Sequence, residues 1–273
     1  MSATERAARF LALHQGPGAF VIANAWDAGS ARVLAGLGFP ALATSSGAAA
    51  NTLGRLDGAI TREESLAHAR AIVEATPLPV SADLENCFAD SPDDAAQTIR
   101  LAAAVGLAGG SIEDATGDTK NPRYDFDAAV ARVAAAARVA HSLDVPFTLT
   151  ARTENFVNSF PDLEDTVRRL QAFEKAGADV LMAPGLPDLE AVRHVCGALR
   201  KPFSFMAGIP GKSFTVAELE AAGVRRISLA TSLHRAAMTG FLAAAREVRE
   251  HGTFGYLDRN VSGREFSAYM AKE

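Results

Sequence analysis

The feature that most constrains this chain is a repeated unit, in which an Ala- and Leu-rich helical segment ends near a glycine and a short apolar segment follows. The unit occurs in VLAGLGFPALATSS, LAAAVGLAGGSIED, FEKAGADVLMAP and LEAAGVRRISLAT. Each glycine stands where the end of a helix needs a left-handed backbone: Gly38, Gly106, Gly177 and Gly223. The repeat therefore predicts a chain that alternates between helices and strands.

The same pattern extends along the chain and gives eight short apolar strands, predicted at 19–24, 41–45, 78–83, 109–113, 146–151, 179–183, 202–206 and 226–230. Helices are predicted near 28–37, 62–75, 92–105, 126–143, 163–176, 188–199, 215–222 and 232–250. Strands without a polar face are typical of a parallel sheet that is covered on both sides. Because the alternation occurs eight times without a linker, we predict an α/β fold: one closed (β/α)8 TIM barrel over residues 1–273, with a short N-terminal helix and a C-terminal interface tail. An open doubly wound sheet is the alternative.

Composition limits the partners and the compartment. The net charge is -5 and no run of Lys and Arg occurs, which argues against nucleic acid and anionic membranes as partners. No stretch approaches the roughly 18 apolar residues of a membrane span. The only two cysteines, Cys87 and Cys196, need no disulfide in a chain with ample core material. We therefore expect a cytoplasmic protein.

Acidic residues follow two neighbouring predicted strands, at the end where a barrel of this kind carries its active site. Asp83 and Glu85 are two residues apart and share a face, and Glu113 ends the next strand. Three adjacent carboxylates repel one another, and oxygen ligands without a nearby His or Cys suit Mg²⁺, or Mn²⁺, better than Zn²⁺. The simpler interpretation, in which each acid caps the helix after its strand, stays open.

A basic residue ends the fifth predicted strand. Arg152 would be buried there, and a buried guanidinium needs an anionic partner. Glu154 could be that partner, or Arg152 could bind a substrate anion. Trp26 could line the floor of the site. A substrate carboxylate could accept hydrogen bonds from hydroxyl and backbone donors of one loop, formed by Ser45, Ser46 and Gly47. These features favour a small 2-oxo or dicarboxylic acid as substrate.

Six motifs, each at a predicted strand end, carry a resemblance to a known family: NAWDAGSA at 24–31, TSSG through LGRLDG at 44–58, SADLEN at 81–86, SIEDA at 111–115, TARTEN at 150–155 and GADVLMAPG at 177–185. In this order they resemble the isocitrate lyase and phosphoenolpyruvate mutase superfamily. The resemblance implies a barrel whose last helix is swapped between subunits, a homotetramer built as a dimer of dimers, and a Mg²⁺ site. It also implies that a bond next to a 2-oxo acid is made or broken through a metal-stabilised enolate.

The same resemblance assigns roles to single residues. Asp83 matches the principal metal-binding aspartate, and three further acids match residues that hold the metal largely through water: Asp57, Glu85 and Glu113. Arg152 matches an arginine that contacts the substrate and stabilises the anionic intermediate, and Arg235 matches an arginine near the barrel mouth. The loop from Ser45 to Gly47 matches the one that holds the substrate carboxylate.

The chain departs from the lyases in the loop after the fourth strand. Isocitrate and methylisocitrate lyases carry a Lys-Lys-Cys-Gly-His segment there, with a catalytic Cys, whereas this chain reads ATGDTKNPRYD at 115–125. Phosphonomutase-type members have Lys and Asn in a mobile loop, which Lys120 and Asn121 resemble. The predicted catalytic residues are therefore Arg152, Glu113, Lys120 and Asn121.

Together these observations predict a Mg²⁺-dependent lyase or decarboxylase that cleaves a carbon–carbon bond in a small 2-oxo or 2-hydroxy dicarboxylate. One alternative is a carbon–phosphorus bond enzyme, either a phosphoenolpyruvate phosphonomutase or a phosphonopyruvate hydrolase. The other alternative is a barrel that binds 2-oxo acids with little catalysis.

Overall fold

Eight parallel strands close into a barrel in chain order, and the last strand pairs with the first. The structure is a computed structural model that describes residues 1–212 and 214–271; Ser213, Lys272 and Glu273 lie outside the described residues. The strands are β1 (Phe20–Asn24), β2 (Leu42–Ala43), β3 (Val80–Ala82), β4 (Gly109–Glu113), β5 (Thr148–Arg152), β6 (Val180–Met182), β7 (Phe203–Met206) and β8 (Arg226–Ser228). The predicted (β/α)8 barrel is confirmed.

Helices surround the strands and alternate with them: α1 (Ala3–Gln15), α2 (Ala28–Gly36), α3 (Ser46–Thr52), α4 (Arg62–Ala75), α5 (Pro92–Ala104), α6 (Phe126–Ser142), α7 (Leu163–Ala176), α8 (Leu189–Ala198), α9 (Val216–Ala221), α10 (Ser232–His251) and α11 (Gly263–Met270). A 3-10 helix spans Gly255–Arg259. The short helix α3 lies where the sequence analysis expects a loop. Ser45 starts it, because the Ser45 hydroxyl accepts a hydrogen bond from the backbone N–H of Ala48 at 3.5 Å.

Local signals in the sequence account for the helix ends. The four glycines of the repeated unit all have positive φ angles, between 87° and 110°, as the left-handed position after a helix requires. At the start of α4, the hydroxyl of Thr61 and the carboxylate of Glu64 each accept a hydrogen bond from the other residue's backbone N–H. These ends fix the lengths of the loops that carry the polar residues at the top of the barrel.

The helix that follows β8 does not cover its own barrel. Only His234 of α10 is buried, and four large apolar side chains of the helix are exposed by 38%, 61%, 45% and 38%: Met238, Phe241, Leu242 and Val248. Helix α11 packs against α2, with the Tyr269 ring so close to Gly36 that a Cβ there would stand 2.6 Å from a ring carbon. Among the described residues, no helix is both long and apolar enough to cross a membrane.

Candidate active site at the barrel mouth

The C-terminal ends of β3, β4 and β5 bring an arginine and three carboxylates together. Nη1 of Arg152 lies 2.9 Å from Oδ1 of Asp83, and its Nη2 lies 3.4 Å from Oε2 of Glu113 and 2.9 Å from Oε1 of Glu154. The pairing of β4 with β5 places Glu113 directly beside Arg152. The predicted convergence of Asp83, Glu113 and Arg152 is therefore present, and Glu154 is a partner of the guanidinium.

Three hydroxyl groups orient Asp83, two from the segment after β2 and one from β4. Oδ2 of Asp83 accepts a hydrogen bond from Oγ of Ser46 at 3.2 Å, and Oδ1 accepts one from Oγ of Ser111 at 3.3 Å. The backbone N–H of Asp83 donates to the Thr44 hydroxyl at 3.0 Å. Both carboxylate oxygens are thus held in a fixed orientation.

Burial and mutual repulsion destabilise the charged forms of the acids. Burial raises the pKa of Glu113 well above its ordinary value, against the opposing effect of Arg152, and the charges of Glu154 and Asp83 raise it further. Burial also raises the pKa of Glu85 to about 7, with repulsion from Asp83 adding to the effect. A positive charge placed among these groups would lower both pKa values.

The acids fit a hard cation that keeps most of its water. Oε1 of Glu85 is buried and has no hydrogen-bond partner, and the residue has a left-handed backbone with a φ of 50°. Within residues 1–212 and 214–271, no group of three or more His, Cys, Asp or Glu side chains is arranged to hold a metal ion. An oxygen-only set with one central aspartate and more distant acids suits Mg²⁺ that is bound largely through water.

A cavity of about 60 Å³ leads from this cluster into the barrel. Asp83, Arg152 and Ser45 lie on its wall, with Met182 and Met206 also contributing. A wider surface groove of about 550 Å³ opens beside the mouth. The narrow cavity favours a small ligand, because pockets for drug-sized ligands usually measure about 300–1,000 Å³.

At Gly47, the start of α3 lies close to the segment that carries Asp57. A Cβ at this position would stand 3.0 Å from Oδ2 of Asp57, so a larger residue would move the exposed Asp57 or the start of α3. The absence of a side chain at Gly47 thus keeps the backbone around Ser45 and Ser46 near the acidic cluster.

A buried network behind the mouth fixes the loop after β5. Asp114 accepts hydrogen bonds from the backbone N–H of Glu154 at 2.8 Å, from the Thr153 hydroxyl at 2.9 Å and from Nη1 of Arg169 at 3.1 Å. The side chains of Asp114 and Arg169 are only 1% and 4% exposed. This network holds Glu154 in place against Arg152.

Several predicted site residues lie away from the cluster. Lys120 and Asn121 are exposed, and the hydrogen bonds described for these two residues stay within their loop, including one of 2.9 Å from the Lys120 N–H to Asp118. Arg235 is exposed on α10. Trp26 packs its ring against His234 with centroids 5.5 Å apart and lines a separate apolar cavity.

Two residues near the site have roles that sequence reasoning did not assign. Ser111 supports Asp83, and its position two residues before Glu113 on the same strand face was the available signal. Cys87, which directly follows SADLEN, is fully buried. Burial raises the pKa of its thiol to about 12, so Cys87 is protonated and unreactive at neutral pH.

The fold and the mouth together define a class of protein: (β/α)8 barrels in which β3, β4 and β5 present a carboxylate and arginine cluster at their C-terminal ends. A sequence model of the family described as phosphoenolpyruvate phosphomutase matches residues 10–249. The chain therefore belongs to this family, within the isocitrate lyase and phosphoenolpyruvate mutase superfamily.

Individual relatives extend over most of the chain. A crystal structure from Burkholderia cenocepacia, described as a candidate lyase or mutase, superimposes with a TM-score of 0.96 at 48% identity and covers 99% of this chain and 97% of that one. The 2,3-dimethylmalate lyase of Eubacterium barkeri is 28% identical, over 93% of this chain and 90% of its own length. The oxaloacetate decarboxylase of Bradyrhizobium diazoefficiens is 28% identical, over 77% and 73%. The superfamily thus includes lyases of small dicarboxylates as well as phosphoenolpyruvate mutases.

Proposed function

We propose that this protein is a Mg²⁺-dependent lyase or decarboxylase that cleaves a carbon–carbon bond in a small 2-oxo or 2-hydroxy dicarboxylate of about the size of oxaloacetate. The observation that carries the proposal is the buried guanidinium of Arg152, held by three carboxylates at the mouth of a narrow cavity. Such a site combines a place for a divalent cation with a fixed positive charge for a substrate anion.

Each residue of the cluster has a part in binding. Asp83 would hold Mg²⁺ directly, and three acids would hold it through water: Glu85, Glu113 and Asp57. Bound there, Mg²⁺ would polarise the 2-oxo group of the substrate and offset the negative charge that develops on its oxygen. The donors of the loop around Ser46 would bind the adjacent carboxylate, and Arg152 would stabilise the enolate that forms as the bond breaks.

The proton chemistry favours decarboxylation within this class. An aldol-type cleavage needs a base to remove a hydroxyl proton, and the loop at 115–125 has no Cys or His for that role. When the carboxylate β to the 2-oxo group leaves as CO2, the electrons of the broken bond form the enolate, so no such base is needed and only a proton must reach the product carbon. Glu113, whose carboxyl group lies 3.4 Å from Nη2 of Arg152 at the mouth, is the group that we assign to supply that proton. The relative described as an oxaloacetate decarboxylase agrees with this assignment.

Carbon–phosphorus chemistry is the second candidate. Lys120 and Asn121 lie in the loop where phosphonomutase-type members carry Lys and Asn, and a bridge between Ala115 and Arg123 closes the base of this loop. If the loop folds over the mouth when substrate binds, Lys120 would place its ammonium group near a phosphonate. Both candidate reactions use the same cation and the same carboxylate loop.

Proton and phosphorus NMR on one substrate panel tests the proposal. Purified protein with Mg²⁺ would be given oxaloacetate, 2-methylisocitrate, 2,3-dimethylmalate and phosphonopyruvate, with a chelator in a parallel sample. We expect a dicarboxylate to be consumed faster with Mg²⁺ than with chelator, and Asp83→Ala to abolish this turnover while remaining folded. Asp93→Ala, at an exposed carboxylate in the first turn of α5, is the matched control and should keep full activity.

The other outcomes of this panel are equally distinct. Turnover of phosphonopyruvate alone would move the assignment to carbon–phosphorus chemistry. Full activity of Asp83→Ala would contradict the metal site. Binding of 2-oxo acids in a Mg²⁺-dependent way without any product would assign the barrel a binding role.

The exposed face of α10 supports a further proposal: that this helix packs on a second copy of the chain, as the superfamily resemblance implies, in a homotetramer built from dimers. Met238, Phe241 and Leu242 would then be buried between subunits. Light scattering during size-exclusion chromatography tests this directly. We expect a tetramer for the unaltered protein and dissociation for Phe241→Glu, with Glu250→Lys on the exposed end of the same helix as a control that leaves the assembly intact.

A further inference from the structure

The loop after β3 has a strained backbone. In residues 85–90, here named the β3 loop, three residues other than glycine have left-handed φ angles: Glu85 at 50°, Cys87 at 61° and Phe88 at 55°. Residues with a Cβ rarely adopt this conformation, and they keep it only where the surrounding structure holds them. One of the three, Glu85, is an acid of the mouth. The contacts that hold the β3 loop therefore also place a residue of the candidate active site.

The guanidinium of Arg132, in α6, binds three backbone carbonyls of the β3 loop. Nη2 donates to the carbonyl oxygen of Asn86 at 2.5 Å, and Nη1 donates to the carbonyl oxygens of Ala89, at 2.6 Å, and Asp90. Among the described residues, Nε has no hydrogen-bond partner and no carboxylate forms an ion pair with Arg132, although the residue is only 1% exposed. The carbonyl dipoles of one loop thus stabilise this buried charge.

Arg132 also connects the β3 loop to the loop after β4. Its Cζ lies 4.1 Å from the centroid of the Tyr124 ring. The Tyr124 hydroxyl donates to Oδ1 of Asp90 at 2.6 Å, and Nδ2 of Asn86 donates to the Tyr124 hydroxyl at 3.3 Å and to the carbonyl oxygen of Thr116 at 3.2 Å. The guanidinium therefore lies at the centre of the contacts that join the two loops.

The first residue of the β3 loop is bonded to the mouth through its backbone. The N–H of Glu113 donates to the carbonyl oxygen of Glu85 at 3.1 Å, and the N–H of Glu85 donates to Oδ1 of Asp83 at 3.4 Å. The direction of a side chain follows its backbone φ angle, so relaxation of Glu85 to an ordinary φ would move its carboxylate relative to Asp83. The position of this carboxylate thus depends on the hold on the loop.

We propose that Arg132 is a positioning residue of the active site: it holds the β3 loop in its strained conformation and so keeps the carboxylate of Glu85 beside Asp83 and Glu113. Arg132 is not among the residues that line the mouth cavity, and it acts through the loop. The consequence for a bound cation rests on the proposed function, whereas the hold on the loop does not.

Hydrogen exchange of the metal-free, full-length protein tests the hold on the loop. Two N–H groups report on it: that of Cys87, which donates to the carbonyl oxygen of Leu84 at 2.7 Å, and that of Glu113, which donates to Glu85. In Arg132→Met, which keeps an apolar side chain but no donors, both should exchange at least about tenfold faster, while the N–H groups of β7 keep their rates. Unchanged rates at Cys87 and Glu113, or an equal increase throughout the chain, would overturn the proposal.

Two further variants complete the exchange experiment. Arg138→Met, at an exposed arginine of the same helix, is the matched control and should leave all rates unchanged. Arg132→Lys keeps the charge but not the planar fork of donors, so it should show the same local pattern to a smaller extent. This variant decides the question if Arg132→Met does not fold, and unchanged rates at Cys87 and Glu113 would then overturn the proposal.

Binding of Mn²⁺, measured by electron paramagnetic resonance of the free ion, tests the consequence at the mouth. The Kd should rise about tenfold in Arg132→Met and stay unchanged in Arg138→Met. In a Glu85→Gln background, Arg132→Met should have little further effect, because Arg132 acts through Glu85. Faster loop exchange with an unchanged Kd would overturn the positioning of Glu85. If the unaltered protein binds no Mn²⁺, the proposed function fails instead, and exchange at Glu113 still decides the role of Arg132.

Discussion

Replacement of Arg152 by glutamine tests whether one guanidinium holds the acidic mouth together. The Arg152 side chain is 12% exposed and forms ion pairs with Asp83, Glu113 and Glu154. Within the described residues, it is the only cation within 4 Å of Glu113 or Glu154. The Arg152→Gln variant therefore keeps two buried carboxylates without a charged partner.

The size of the expected effect follows from this burial. Removal of one partner of a buried ion pair typically costs about 3–5 kcal/mol of unfolding free energy. A chain of 273 residues has an unfolding entropy of about 0.6 kcal/mol/K, so the melting temperature of Arg152→Gln should fall by about 5–9 °C. Turnover should fall by about 10²–10³-fold or more, because a fixed donor to the developing anion is lost.

A double variant separates the structural role of Arg152 from its role in turnover. Glu154→Gln removes one of the two stranded acids, so the double variant should be more stable than the sum of the single effects by about 1–3 kcal/mol. Turnover should stay as low as in Arg152→Gln. Urea unfolding followed by circular dichroism, at fixed protein concentration and without metal, gives the free energies. Additive effects on stability, or recovery of turnover in the double variant, would refute the reasoning.

Three further outcomes are expected. In metal-free buffer, Glu85 binds its proton below a raised pKa of about 7 in the folded protein, but only below about 4.5 in the unfolded chain. The unfolding free energy should therefore fall by about 1–2 kcal/mol as the pH rises from 5 to 8. In urea titrations, Glu85→Gln should show a smaller dependence of the unfolding free energy on pH. Arg169→Met should lower the unfolding free energy by about 3–5 kcal/mol, because the buried carboxylate of Asp114 loses its charged partner. The side chain of the adjacent Arg168 is 60% exposed, so Arg168→Met should change the unfolding free energy by no more than about 0.5 kcal/mol. Equal losses in the two variants would contradict the burial argument. Gly47→Ala should raise the KM for a substrate about tenfold, because the added Cβ would stand 3.0 Å from Oδ2 of Asp57 and displace the loop. An unchanged KM would show that this loop does not bind the substrate.

The cluster at the mouth could be predicted from the sequence because it depends on short-range rules. Asp83, Glu113 and Arg152 each end a predicted strand, and parallel neighbours in a barrel bring their C-terminal ends to one place. The pairing of Arg152 with Glu154 likewise follows from a separation of two residues on one strand end. Strand period and strand order were sufficient for all of these contacts.

Other features depend on contacts that no local pattern specifies. The placement of Lys120 outside the cluster results from hydrogen bonds within its own loop. The exposure of Arg235 results from the way α10 leaves its own barrel. Arg226 lies in a segment that reads as an ordinary apolar strand, and only closure of the barrel brings Thr150 and Ser204 to its guanidinium. The eightfold alternation predicts that the barrel closes, but no local pattern specifies which side chains meet across it.

The distribution of charge around the mouth adds an argument for decarboxylation. Asp83, Glu113 and Arg152 lie at the ends of β3, β4 and β5, whereas β6 and β7 present Met182 and Met206 to the cavity. On this side the ammonium group of Lys212, in the loop after β7, donates to the carbonyl oxygen of Gly185 at 2.7 Å. A substrate whose 2-oxo end is bound at the acids would extend its second carboxylate over the thioether side chains of Met182 and Met206. Such surroundings destabilise a carboxylate relative to neutral CO2. Cleavage that releases CO2 therefore removes the unfavourable charge, whereas an aldol-type cleavage would leave it in place.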